Sequence, residues 1–150
     1  MIKSITVLAI SLALFSCGNT SNEKPKEQTI THEEHQHENE TQTIQLINGE
    51  KWVVNEEMKP HILEAENILN DYIKNNLSNY KTLAEQLKAK NSGLIKSCTM
   101  KGESHDELHK WLHPHVQLIE TLEKCTNNDE AAKVIEQLNA SFETYHQYFQ

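Results

Sequence analysis

From Asn55 to the last residue, apolar side chains recur every three or four positions, and that spacing commits this part of the chain to helices. A helix returns to one face at i+3, i+4 and i+7, so such a stripe must be buried against other stripes. Four segments carry one. The first starts near Asn55 as N-cap, with Glu56 and Glu57 at the positive end of the helix dipole and Pro60 early enough to be tolerated; its stripe runs from Met58 through Ile62, Ala65 and Leu69 to Ile73. The second spans about Ser78 to Cys98, with Leu83, Leu87 and Leu94 inward and a weak middle at Ser92 and Gly93. The third opens at Ser104, where Ser104 and Glu107 have capping-box spacing, and presents Leu108, Trp111, Leu112, His115 and Ile119. The fourth follows Asn127 and Asn128 and presents Ala131, Val134, Ile135, Leu138, Phe142 and Tyr145. Short connections between helices of roughly 20 residues predict antiparallel neighbours, hence an all-α, up-down-up-down four-helix bundle over 55–150.

Two segments of other character precede the bundle. Ile44 to Ile47, then Asn48-Gly49, then Trp52-Val53-Val54 predict a short β-hairpin over 44–54, because Asn-Gly between β-branched and aromatic residues suits a tight turn. After Cys17, the tether segment 17–43 runs from Gly18 to Thr43 mostly in Asn, Ser, Thr, Glu, Lys, Gln and His, with almost nothing apolar. Such a stretch cannot bury enough surface to offset chain entropy and predicts a disordered tether.

The beginning of the chain reads as a targeting segment. Lys3 and a short apolar run from Ile5 to Phe15 have the layout of a signal peptide over 1–16, too short for a spanning helix. Leu14-Phe15-Ser16-Cys17 resembles the lipobox of bacterial lipoproteins. That resemblance implies cleavage before Cys17 and lipidation of its sulfur, with anchoring by more than one acyl chain. Gly18 after the lipid-bearing Cys17 favours, by the same analogy, the outer membrane of the cell envelope.

Charge narrows the partners. The net charge is −8, and all 14 basic residues are Lys with no Arg, so the positive, Arg-bearing surface of a nucleic-acid binder is absent. With Cys17 committed to lipid, Cys98 and Cys125 are left. They fall at opposite ends of helices about 30 Å long, too far apart for a disulfide.

Antiparallel topology collects soft and borderline metal ligands at one end of the bundle. Met58 and His61 open the first helix, Cys98 and Met100 close the second, His105 and His109 open the third and His146 closes the fourth. His105 and His109, four apart, share a helix face. Thiolate, thioether and imidazole together suit Cu(I), and Cys with His alone suits Zn(II). Ordinary roles compete with this reading: a His at the rim of an apolar stripe is commonly solvated, Met58 is suited to filling the core, and a buried Cys98 behaves as a small hydrophobe. His113 and His115 flank Pro114 within the third helix. His113 is expected to face solvent, with His109 and His113 forming an alternative exposed pair, and His115 is expected as a core histidine with one nitrogen satisfied. In the tether, His32, His35 and His37 stand among glutamates, a composition that captures divalent ions loosely or serves as a solubilising spacer.

Lys96-Ser97-Cys98-Thr99-Met100-Lys101-Gly102, the run from His105 to Leu112 and the leading Gly49 to Asn55 together resemble small His-rich envelope lipoproteins with a four-helix domain. Some of these are associated with heavy-metal efflux, which implies metal handling and an efflux partner. The sequence therefore predicts a non-enzymatic, membrane-anchored metal-binding protein, since no nucleophile has an evident base and orienting group. Two alternatives remain: a metal-independent interaction domain, and a bundle holding b-type haem between Met58 and His146.

Overall fold

The computed structural model describes residues 43–150; the expected signal peptide, Cys17, most of the expected tether and His32, His35 and His37 lie outside the described residues. Four helices follow in order: α1 (Lys59–Lys74), α2 (Tyr80–Ser97), α3 (Glu103–Lys124) and α4 (Asn128–Tyr148). Each packs on the next and α1 also meets α4, which closes the up-down-up-down bundle. The stripes meet as expected except at Ile73, which ends the first stripe exposed to solvent; Leu69, Leu83, Leu87, Leu94, Leu108, Leu122 and Leu138 are all essentially removed from water. At about 1.5–3 kcal/mol for each fully buried side chain of this size, this shared core is what holds otherwise marginal helices together.

Local chemistry explains the boundaries. Asn79 and Asn127 cap α2 and α4, accepting the backbone N–H of Thr82 and Glu130. Two expected starts differ. Asn55 does not cap α1, which begins at Lys59 with Met58 at the cap position; the Asn55 amide instead donates to the Ser97 carbonyl and its oxygen accepts the Thr99 N–H, stitching the leading segment to the exit of α2. Ser104 and Glu107 do not form a capping box, because Gly102 takes the cap position at φ +66°, a left-handed conformation favourable to glycine. Glu107 is nearly buried and accepts the Gln45 N–H at 2.8 Å and the Lys110 ammonium, holding the leading segment on α3. Continuous helix runs through Ser92 and Gly93.

In the leading segment, Ile47 and Glu50 exchange backbone hydrogen bonds around Asn48 and Gly49, both at positive φ. The following residues pair elsewhere: Trp52 N–H donates to the Tyr148 carbonyl, Gln150 N–H to Trp52 and Val54 N–H to Gln150, a short parallel contact with the chain's last residues. Trp52 and Val54 are thereby buried against the bundle.

Candidate functional site

Three imidazoles stand in a row on α3. His105, His109 and His113 are separated by four residues each, so successive rings advance roughly 40° around the helix and one turn along it. They contact one another through their nitrogens: His105 Nε2 lies 3.0 Å from His109 Nε2, and His109 Nδ1 lies 2.8 Å from His113 Nε2. The ring centroids are 4.3 and 4.8 Å apart, edge to face. His105 and His109 are half-buried and His113 is exposed. By the same angular count Glu123, which pairs with Lys88 of α2, shares the azimuth of His105, and the row turns from there toward solvent at His113.

His109 addresses its two neighbours with opposite ring nitrogens, so the three rings do not aim at one point. Each contact needs one N–H and one lone pair, which three neutral imidazoles can supply in a continuous sequence. A metal ion takes the place of a proton in such a contact, because imidazole binds metal through the same lone pair.

The remaining expected ligands go to other places. Met58 is wholly buried in the core. His61 lies against Gly93 of α2, where a methyl group on Gly93 would sit 2.5 Å from the imidazole carbon; the small residue that weakens α2 makes room for this ring. His146 is exposed at the α1–α4 seam, its Nε2 2.9 Å from a carboxylate oxygen of Glu66. Cys98 caps the end of α2 and Met100 lies in the turn after it, both half-buried against the core. Among the described residues no three His, Cys, Asp or Glu side chains form a group able to hold one metal ion. Of the seven ligands expected at one end, His105 and His109 are in direct nitrogen contact, while His61 lies at the α1–α2 seam and His146 at the α1–α4 seam. The haem pair is divided as well, with Met58 in the core and His146 at the surface. Cys98 and Cys125 are both free thiols.

His115 shows what the interior does to the same side chain. It is fully buried, stacked on Trp111 with ring centroids 4.8 Å apart and edge-on to Phe142 at 4.7 Å. Nδ1 meets the Ser141 hydroxyl at 2.8 Å, while Nε2 has no protein partner among the described residues. Burial lowers its pKa to about 4, so the ring is neutral at physiological pH. The Trp111 indole N–H donates to the Ser141 carbonyl, locking α3 to α4 beside it.

Sequence reasoning missed two buried polar residues, Asn91 and Glu107, both below a tenth exposed. Asn91 sits on the stripe of α2 at helical spacing from Leu87 and Leu94, and that spacing was its available signal. No protein-family model, curated protein or solved structure matches the chain.

Proposed function

We propose that this protein is a lipid-anchored domain of the cell envelope that binds a borderline divalent metal ion through the imidazole row of α3. The observation that carries the reading is the spacing of His105, His109 and His113, whose ring nitrogens stand 3.0 and 2.8 Å apart. All-imidazole donors favour Zn(II) or Cu(II) over Cu(I), which prefers the sulfur ligands that here lie in the core or against it. Membrane attachment through Cys17, loose capture by His32, His35 and His37, and hand-over to an efflux partner complete the proposal on sequence grounds.

Calorimetric titration of the mature chain with Zn(II) tests it. The chain is expected to bind zinc, and His105→Ala with His109→Ala to remove one binding event and leave only loose binding by the tether; an unchanged isotherm in the double variant would remove the reading. Uptake falls as pH is lowered, since protons compete for the same nitrogens.

A metal-independent interaction role has one observation in its favour. At the other end of the bundle, Tyr72, Ile73, Leu77, Tyr80, Ala131 and Ile135 line an open groove of about 350 Å³, with Ile73 and Leu77 themselves exposed. Binding of envelope proteins that survives chelation and the His variants would favour that role.

A further inference from the structure

We infer that the α3 row is not three equivalent ligands: His105 and His109 hold the ion through their Nε2 atoms, and His113 is a positioning residue that accepts the Nδ1–H of His109. This rests on the metal-binding reading and assigns a division of labour within it.

The argument begins with His109. Its Nε2 faces His105 Nε2 and its Nδ1 faces His113 Nε2, so an ion bound at either nitrogen leaves the other in contact with a neighbouring ring. A neutral imidazole that gives one nitrogen to a metal carries its proton on the other. Metal-ligating histidines almost always donate that second N–H to an acceptor, which fixes the tautomer, orients the ring and raises its basicity. The row contains such an acceptor in place.

Two observations choose between the two contacts, whose gaps of 3.0 and 2.8 Å are both ordinary hydrogen-bond distances. The first is burial: His105 and His109 are half-buried while His113 is exposed. A partly desolvated pair competes less with water for the ion than an exposed one does. Second, both nitrogens of the first contact are Nε2, at the far ends of their rings, where i,i+4 imidazoles converge over the helix surface. Solvent completes the coordination on the open side.

The roles predict different losses on substitution. The test is zinc calorimetry on the full mature chain in a background of His32→Ala, His35→Ala and His37→Ala, which removes the tether's contribution. His105→Ala and His109→Ala are each expected to abolish the remaining binding event. His113→Ala is expected to keep the stoichiometry and weaken affinity by about 10- to 100-fold, the usual effect of deleting such an outer partner. His113→Gln, whose amide oxygen can accept the same N–H, is expected to recover most of that loss. A merely structural role for His113 would show no selective rescue by Gln. Abolition of binding by His113→Ala, or no effect of it, overturns the assignment while leaving the metal-binding reading intact. Absence of zinc binding in the background chain, with intact helical content, overturns both.

Discussion

Four histidines on α3 divide between two surroundings. His105, His109 and His113 form a row that turns outward to solvent and touch one another through their nitrogens; His115, two residues beyond the last of them, lies in a buried stack with Trp111 and Phe142. Helix rotation alone separates them, since two residues turn the side chain by roughly 200°. On the edge the imidazole nitrogens meet one another. In the core the imidazole's cation is excluded and the ring serves as an aromatic with one hydrogen bond. Residue type therefore says little about the chemistry of a helical histidine until its azimuth is known.

The largest expected effect comes from breaking the core member of this comparison. His115→Ala removes a fully buried ring and both its aromatic contacts, and is expected to cost about 3–5 kcal/mol, as for other large-to-small aromatic core changes. His109→Ala, at the half-exposed rim, is expected to change stability by less than about 0.5 kcal/mol while removing metal binding. Denaturant unfolding of the two variants gives both figures. Similar losses in the two would mean that the division between core and edge is not real.

Acid should separate the same two surroundings. His115 has its pKa lowered from the ordinary 6.5 to about 4 by burial, so between these values the unfolded chain binds the extra proton. Stability thus rises with pH through this window: the contribution is whole above pH 6.5 and is lost as pH falls toward 4. It amounts to about 3 kcal/mol across that range. Relative to the native chain, His115→Phe is expected to show a flatter stability profile from pH 6.5 to 4. Parallel profiles would place the ring in contact with water.

Glu107 sharpens the comparison from the opposite side of the helix, as a polar group that is buried and fully occupied. Glu107→Ala leaves the Gln45 N–H and the Lys110 ammonium without their carboxylate and is expected to destabilise by about 1–3 kcal/mol. Its distinguishing signature is faster hydrogen exchange at Gln45, which a simple loss of helix propensity would not produce.

The smallest effect concerns His61, the ring that occupies a seam and not an edge or a core. Gly93→Ala places a methyl group 2.5 Å from the imidazole, and the strain is expected to offset the gain of about 1 kcal/mol that alanine brings to a helix interior. Adding His61→Ala should release the gain, making the double variant more stable than Gly93→Ala. Thermal midpoints of the two variants suffice to check the order.

Much of this architecture was legible from spacing. The number and order of helices and the inward stripes follow from i, i+3, i+4 recurrence, and the core position of His115 follows from its place between Trp111 and Ile119. Caps were not legible at Asn55 and Ser104, because Ser97, Thr99 and Gln45 come from distant segments to claim or replace those bonds. The candidate site was half legible for a related reason. Four-residue spacing put His105 beside His109, and extended by one step it would have made the row of three. Whether Met58, Cys98, His61 and His146 joined them depended on helix rotation and on register between helices, which no single stripe encodes.

Nitrogen-15 spectra of the histidine side chains, recorded while zinc is added, most directly test the claim that α3 carries one usable and one sealed set of imidazoles. The nitrogens of His105, His109 and His113 are expected to shift as the ion is taken up, with those of His115 unmoved and its ring neutral throughout. A response at His115, or silence along the edge while zinc binds elsewhere, would contradict the account.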